Sequence, residues 1–190
     1  FHCDKNDAVA LMCWNGAKSG GLSCIASSAA IHNAMLERRP DLLELLYGPF
    51  HVDFRGEEME GHKPYNIQPV FTRRDGRVYG RYGRTYIMTG QRFDDAPQLT
   101  DDQIAAVDMV DAMANSDEFR LDMTFERGDI QILNNHVILH SRTAFEDWPE
   151  PERQRHLFRL LFLSPTFADA PEHFQLVRNT SRYWRDHPRA

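Results

Sequence analysis

The stretch "NNHVILHSRTAFEDWPEPERQRHLFRLLF", residues 134–162, decides the fold. Its two ends, "HVILHSR" and "RHLFRLLF", are short and largely apolar, which is typical of strands in a protein core. The acidic segment between them contains two prolines, which is typical of a loop. The stretch therefore predicts two core strands that are joined by an exposed connection.

Two arginines interrupt the second of these strands. Arg155 and Arg159 lie four residues apart, so their side chains point to the same face of the strand as Leu157. Burying two guanidinium groups among apolar neighbours is costly unless an anionic group pairs with them. Salt bridges to Glu150 or Glu152 are one explanation. A bound carboxylate is the other, because the planar guanidinium donates two parallel hydrogen bonds to it.

A candidate metal site combines the first residues of the chain with the first of the two strands. In "FHCDKND", residues 1–7, His2 and Asp4 are two apart, so on an extended segment both side chains point to the same face. Two histidines and one carboxylate form the facial triad of non-haem iron(II) oxygenases. The third ligand is His136 or His140, which share a strand face, so periodicity does not choose between them.

The rest of the chain alternates short strands with a few helices. Strands are predicted at residues 7–14, 22–26, 121–125, 130–135 and 136–142, with two extended segments and an Asp-Gly turn over 64–87. Helices are predicted at 27–38, at 40–48 and at 99–116, the last with a capping box formed by Thr100 and Gln103. The pattern predicts a mainly β fold, an antiparallel barrel or sandwich with helical insertions.

Composition excludes several classes of function. A length of 190 residues predicts one domain, and a net charge of −6 without a basic block lacks the electrostatic footprint of a nucleic-acid binder. We therefore interpret the basic, tyrosine-containing hairpin at 73–84 as a solvated strand face. No apolar run approaches the roughly 20 residues that span a bilayer. Three cysteines without metal-finger spacing indicate buried thiols in a reducing, cytoplasmic setting.

In this order and spacing, the motifs resemble the taurine dioxygenase-like (TauD/TfdA) family of iron(II)- and 2-oxoglutarate-dependent oxygenases. The resemblance rests on "HCD" as the H-x-D pair, "SGGLS" as the Gly-Gly-x-Thr/Ser turn, and "QPVFTRRDGR" as the Pro-Val…Gly-Arg hairpin. The closing part, "GDIQILNNHVILHSRTAFED…RQRHLFR", resembles the distal-histidine strand followed by the R-x-x-x-R strand. The resemblance implies a double-stranded β-helix, the jelly-roll or cupin-like barrel.

The resemblance also implies roles for individual residues. The family's asparagine-rich turn precedes its metal histidine by about five residues, and here Asn134 and Asn135 favour His140 over His136. Carried over by position, the implied residues are His2, Asp4 and His140 as iron ligands, Ser23 and Arg155 on 2-oxoglutarate, and Arg159 near the open end of the pocket. In some members the last arginine contacts an anionic substrate.

The activity implied is oxidation, most simply hydroxylation, of an unactivated C–H bond in a small, anionic organic substrate. Iron(II), 2-oxoglutarate and dioxygen are the implied cofactor and co-substrates, and succinate and carbon dioxide the co-products. Related halogenases replace the metal carboxylate with a small residue, so Asp4 predicts oxygenation and not halogenation. An inert barrel that binds a metal or carboxylate, and a zinc hydrolase with the same ligands, are the alternatives.

The resemblance begins at the second residue of the chain. The residues that precede H-x-D in the family, and that help form its substrate wall, are absent here. We therefore expect a single oxygenase domain over residues 1–190 that lacks its N-terminal segment. The expected partner is a small-molecule substrate, with no nucleic acid and no membrane, and assembly into a homo-oligomer is left open.

Overall fold

The computed structural model describes residues 1–168 and 170–188, so residues 169, 189 and 190 of the expected domain lie outside the described residues. The strands are β1 (Ala8–Asn15), β2 (Ser19–Gly20), β3 (Ser23–Ser27), β4 (Phe50–Asp53), β5 (Tyr65–Gln68), β6 (Phe71–Arg74), β7 (Arg77–Gly80), β8 (Arg120–Met123), β9 (Ile130–Asn134), β10 (Ile138–Arg142), β11 (Phe145–Glu146) and β12 (His156–Phe162). The α-helices are α1 (Ser28–Arg38), α2 (Pro40–Leu45), α3 (Arg84–Thr89), α4 (Asp101–Ala114) and α5 (Glu172–Asp186). The predicted mainly β architecture with helical insertions is confirmed.

The first sheet has the antiparallel order β12-β1-β9. Leu11 on β1 lies opposite Arg159 on one side and Gln131 on the other, so these three side chains share one face. Alternation directs Phe158 and Leu160 to the opposite, outer face. That outer face is apolar and exposed, with Ile130, Ile132, Phe158, Leu160 and Phe162 as its large side chains.

The second sheet has the antiparallel order β10-β3-β8 and carries the distal histidine strand. His140 on β10 lies opposite Ile25 on β3, and Arg142 lies opposite Ser23. The Ser23 hydroxyl donates a 3.0 Å hydrogen bond to Oε1 of Gln131 on β9. The inner faces of the two sheets therefore meet at this hydrogen bond.

Helices α1, α2 and α4 pack together against the strands and contain much of the hydrophobic core. Their fully or almost fully buried side chains include Ile31, Met35, Leu42, Leu43, Val107 and Val110. The capping box of α4 is formed as predicted, since Thr100 Oγ1 accepts from Gln103 N at 3.2 Å and Gln103 Oε1 accepts from Thr100 N at 3.0 Å. No helix in the described part of the chain is both long and apolar enough to cross a membrane.

The segment after the Asp-Gly hairpin differs from its prediction. An extended conformation up to residue 87 is wrong, because helix α3 begins at Arg84. The helical turn buries Ile87 in the core and lets its N–H bond to the carbonyl oxygen of Gly83 at 3.1 Å. Arg84 also forms an ion pair with Asp108 of α4. These tertiary contacts override the extended tendency of "RTYI".

Helix α5 has no counterpart in the sequence predictions. It buries Phe174, Val177 and Thr180, whose spacing of three residues marks one face of a helix. Arg178 is also buried, with 1% of its side-chain surface exposed. The helix is strongly amphipathic, so the spacing of its apolar residues was a signal in the sequence that our prediction did not use.

Replacing Thr100 with alanine tests the capping box of α4. We expect Thr100→Ala to lower the free energy of unfolding by about 1 kcal/mol, because the Gln103 N–H loses its acceptor. For a chain of this size the thermal midpoint should fall by about 2–4 °C. Differential scanning calorimetry measures both, with the exposed Thr85→Ala in α3 as the control. Equal midpoints for the two variants would contradict the role of the cap.

Candidate metal centre

Three side chains from two segments that are far apart in the sequence meet at one point. Nε2 of His2 lies 3.8 Å from Oδ1 of Asp4, and Nε2 of His140 lies 3.8 Å from Oδ2 of the same carboxylate. One potential ligand atom from each residue lies within 4.8 Å of the others. Among the described residues this is the one group of histidine, cysteine and acidic side chains with such a geometry.

Backbone pairing places the two histidines side by side. His2 N donates to His140 O at 3.0 Å, and His140 N donates to His2 O at 2.7 Å. Their ring centroids are consequently 4.4 Å apart. On the other side of the segment, Cys3 N donates to Tyr82 O at 2.9 Å, so residues 1–4 lie between β10 and the segment that follows β7.

The main chain around Asp4 is held by two further side chains. Arg81 donates to the carbonyl oxygens of Asp4 at 2.5 Å and of Lys5 at 2.7 Å. Asn135 accepts from Asp4 N at 3.3 Å and donates to Asn6 O at 3.0 Å. The carboxylate is thus oriented by hydrogen bonds to its backbone, which leaves its two oxygens directed at the histidines.

The donor set fits a divalent metal ion. Oδ2 of Asp4 and Nδ1 of His140 are buried and have no hydrogen-bond partner among the described residues, and 3.8 Å is too long for a hydrogen bond. A buried polar atom without a hydrogen-bond partner lowers the stability of the fold. A bound cation would serve as the partner of the Asp4 carboxylate. Burial lowers the pKa of His140 to about 4 and also lowers that of His2, so both imidazoles offer a lone pair at neutral pH. Two imidazoles with one carboxylate suit iron(II) and similar ions.

His136 lies apart from this group, in a buried ionic cluster. Its Nε2 lies 3.0 Å from Oδ1 of Asp7, and Arg178 forms an ion pair with the other oxygen of that carboxylate. Burial by itself raises the pKa of Asp7, but the hydrogen bonds from His136 and Arg178 outweigh it and hold that pKa below its usual value. Of the two histidines that the sequence left as alternatives, the structure therefore favours His140 as the metal ligand.

Arg159 on β12 and Arg155, which immediately precedes this strand, have different surroundings. Nη1 of Arg159 lies 3.3 Å from Oδ1 of Asp4, at the edge of the metal centre. Arg155 is half-buried and makes no ion pair with a carboxylate among the described residues. Burial, and then the charge of Arg142, lower the pKa of Arg155. Among the described residues, neither arginine pairs with Glu150 or Glu152, because Arg159 pairs with Asp4 and Glu150 lies 3.8 Å from Arg153.

The glycine turn lies against the Arg155 side chain. Gly21 has a φ of +72°, and a Cβ atom there would lie 3.2 Å from Nε of Arg155. At Gly20, with a φ of +68°, a Cβ would lie 2.2 Å from the Ala144 carbonyl oxygen. The backbone conformation and this close approach explain why glycines occupy both positions. Ser23, two residues further on, is buried with its hydroxyl on Gln131.

A cavity of about 790 Å³ extends from Asp4 and Arg159 to helix α5. Its lining includes Phe54, Asn66, Gln68, Tyr86, Arg182 and Trp184. Of the six site residues expected from the sequence, only Asp4 and Arg159 line it, and His2, His140, Ser23 and Arg155 lie outside it. The candidate metal centre is therefore at one end of the cavity, whereas Ser23 lies between the two sheets and Arg155 lies against the glycine turn.

Three residues around the centre were missed from the sequence. The sequence analysis identified the turn that contains Asn135. It did not predict the contacts of this side chain with residues 4 and 6, because those residues are distant in the sequence. Arg81 belongs to the hairpin that we interpreted as a solvated face, and it is instead 4% exposed. Nothing in the sequence pattern marks Arg178, because its partner Asp7 lies near the other end of the chain.

The chain matches a family model and curated relatives. The model described as "Taurine catabolism dioxygenase TauD, TfdA family" matches residues 1–161. "FR-33289 synthase" of Streptomyces rubellomurinus is 32% identical over 163 residues, which are 84% of this chain and 48% of that protein. "Taurine hydroxylase-like protein SAT17" of Stachybotrys chartarum is 33% identical over 171 residues, 88% of this chain and 43% of that protein. The chain spans about half the length of these relatives.

Solved structures share the fold. An asparagine oxygenase in complex with Fe(II), 2S,3S-3-hydroxyasparagine and succinate is 17% identical with a TM-score of 0.65, over 91% of this chain and 53% of that one. The non-heme iron oxygenase OrfP in complex with Fe and alpha-ketoglutaric acid is 17% identical with a TM-score of 0.59, over 84% of this chain and 45% of that one. The predicted jelly-roll fold is confirmed.

Alanine variants of the two β10-region histidines test the ligand set. We expect His140→Ala to lower the affinity for Co(II), a redox-stable probe, by at least about tenfold, since a ligand is lost. His136→Ala should bind Co(II) normally but unfold at a lower temperature, because the buried Asp7 and Arg178 charges lose a partner. Isothermal titration calorimetry and circular dichroism measure the two effects. The reverse pattern would make His136 the ligand.

Proposed function

The chain belongs to the taurine catabolism dioxygenase (TauD, TfdA) family, and from this premise we propose that it is an iron(II)- and 2-oxoglutarate-dependent dioxygenase. The reaction proposed is hydroxylation of an unactivated C–H bond in a small organic substrate. The observation that carries the proposal is the convergence of His2, Asp4 and His140 within 4.8 Å at the end of a cavity.

The three ligands have separate tasks in this proposal. His2 and His140 would hold the metal as neutral imidazoles, and Asp4 would contribute the negative charge. With only three protein ligands, the chain would leave coordination positions open for the co-substrates. When bound, iron(II) supplies the oxidising chemistry, with succinate and carbon dioxide as co-products. The chain itself holds the ligands and orients the substrate.

Arg155 and Ser23 are the proposed anchors for 2-oxoglutarate. Arg155 is half-buried without a carboxylate partner among the described residues, which is an arrangement that a bound carboxylate would stabilise. The nearby glycine turn allows the chain to pass close to its guanidinium group. Ser23 would turn its hydroxyl from Gln131 to the co-substrate.

The cavity is the proposed substrate site. Its volume of about 790 Å³ suits a small organic molecule, and its lining mixes aromatic rings with amide and charged groups. Arg159 lies where the cavity meets the metal centre, so we propose a substrate with an anionic group, such as a carboxylate or sulfonate. Amino acids are included in this class.

Two further points complete the proposal. Asp4 occupies the position that halogenases leave to a small residue, which supports oxygenation. The three cysteines are free, which supports a reducing, cytoplasmic setting. We propose that residues 1–190 act as one oxygenase domain.

Reconstitution tests the proposal. The protein is supplied with Fe(II), ascorbate, 2-oxoglutarate and air, with a panel of small carboxylates, sulfonates and amino acids, and succinate is measured by mass spectrometry. We expect Fe(II)-dependent succinate that His140→Ala abolishes. No succinate with any substrate, and none uncoupled, would favour an inert binding barrel. Zinc-dependent hydrolysis without stabilisation by 2-oxoglutarate would favour a hydrolase.

Replacing Arg155 tests the co-substrate anchor. Arg155→Ala should weaken 2-oxoglutarate binding to the Co(II)-loaded protein by at least about 30-fold, because a charge-assisted hydrogen-bonded pair is worth about 2 kcal/mol or more. Co(II) affinity should stay unchanged. Anaerobic calorimetry measures both, and Arg153→Ala, in the loop two residues earlier, is the matched control. A loss of metal affinity without a loss of co-substrate affinity would contradict the assignment.

Replacing Asp4 tests the distinction between oxygenation and halogenation. Asp4→Gly removes the carboxylate ligand, so hydroxylation of an accepted substrate should stop. Chromatography with mass detection, with and without added chloride, measures the products. Asp129→Gly, in an exposed turn away from the centre, is the control. Retained hydroxylation by Asp4→Gly would contradict the role of this carboxylate.

A further inference from the structure

We propose that helix α5 is a brace for the metal centre and that Arg178 is its main positioning residue, acting on Asp4 through Asp7. The helix lies beyond residues 1–161, the part of the chain that the family model matches. The inference rests on the proposed function only in taking Asp4 as a metal ligand. Its experiment measures the geometry and affinity of the metal site, not turnover.

The strongest contact of the brace is the ion pair between Arg178 and Asp7. Each side chain has 1% of its surface exposed. The Asp7 carboxylate also accepts from Ser164 N at 2.6 Å and lies 3.0 Å from Nε2 of His136. A buried carboxylate with this many partners has a fixed position. Removal of the guanidinium charge of Arg178 would leave the buried negative charge of Asp7 insufficiently compensated. The start of the chain is therefore fixed by a residue close to its end.

The same face of α5 contacts Asn6 directly and is linked to Lys5 through Glu57. Ser181 Oγ donates to Oδ1 of Asn6 at 3.1 Å. Trp184 Nε1 donates to the Glu57 carbonyl oxygen at 2.7 Å, and the Glu57 carboxylate pairs with Lys5 at 2.6 Å. Positions 178, 181 and 184 are three residues apart and share one side of the helix. The helix thus bonds directly to Asp7 and Asn6, and to Lys5 through one intervening residue.

A short hydrogen-bonded path connects Asp7 with the metal ligand. Asn135 N donates to Asp7 O at 2.9 Å, and the Asn135 side chain bonds to Asn6 O and Asp4 N. Arg81 fixes the carbonyl oxygens of Asp4 and Lys5 from the other side. The segment has little freedom to adjust, so a shift of Asp7 moves the Asp4 backbone and its carboxylate.

The brace also forms a wall of the cavity. Val177, Thr180 and Ser181 line the cavity that begins at Asp4. Ser181 therefore contacts both the cavity and Asn6. A change on this face of α5 acts on the metal centre and on the substrate space together.

Three variants test the brace. Arg178→Met removes the charge, Arg178→Lys keeps it, and Asn179→Ala changes the exposed neighbouring residue as the matched control. Co(II) affinity is measured by calorimetry on the folded proteins, and the ligand-field absorption of bound Co(II) reports the coordination geometry. Circular dichroism gives the thermal midpoint of each metal-free variant.

We expect Arg178→Met to weaken Co(II) binding by about tenfold or more and to change the ligand-field spectrum, as substitutions of residues that orient metal ligands do. Arg178→Lys should recover much of both, and Asn179→Ala should match the unchanged protein. A folded Arg178→Met protein with normal Co(II) affinity and spectrum would overturn the proposal. A lower thermal midpoint alone would show a structural role only.

A second variant covers the case in which Arg178→Met does not fold. Ser181→Ala removes one hydroxyl from the brace, and we expect a smaller loss of Co(II) affinity and a small spectral shift, together with a normal midpoint. In that case, normal Co(II) affinity and a normal ligand-field spectrum for Ser181→Ala would overturn the proposal. If the unchanged protein binds no Co(II), or binds it independently of His140, the ligand assignment fails instead of the brace.

Discussion

The pair of backbone hydrogen bonds between His2 and His140 is the constraint on which the centre depends. It joins the first residues of the chain to β10, a strand more than 130 residues later. Once the two segments are paired, both imidazoles stand on one side and the alternation of an extended chain brings Asp4 to the same side. The rest of the fold, from the buried Arg81 to Asn135, holds this pairing in register.

Charge around the centre is arranged in two layers. In the function that we propose, a divalent ion with one carboxylate and two neutral imidazoles would keep a net positive charge, and Arg159 would add another at the edge of the cavity. Such a region would attract a dianionic co-substrate and an anionic substrate over several ångströms. The buried charges of Asp7 and Arg178, by contrast, neutralise one another and contribute position instead of attraction. Arginine and aspartate side chains therefore have two roles: at the cavity they would bind ligands, and behind the cavity they fix the position of the backbone.

The periodicity and spacing of the sequence predict which side chains share a strand face. They do not predict contacts that form only through tertiary structure. The two-residue spacing of His2 and Asp4 and the four-residue spacing of the arginines are local, so the sequence predicts their faces. His136 and His140 share a face in any strand, and only the buried partner Asp7 separates their roles. Asp7 and Arg178 meet through tertiary structure alone, and a lone arginine in a helix predicts a solvated position. Helix α3 was missed because burial of Ile87 outweighs the local preference.

The position of α5 has a consequence for changing which molecules the protein accepts. Because one helix borders the cavity and, as we propose, supports the metal ligands, its positions are unequal as targets for engineering. Arg182 and Arg185 border the cavity without contacting residues 5–7, so libraries built there should diversify selectivity at little expense in catalysis. Randomising 178 or 181 would couple selectivity to metal retention, and many otherwise useful variants would be lost with the metal.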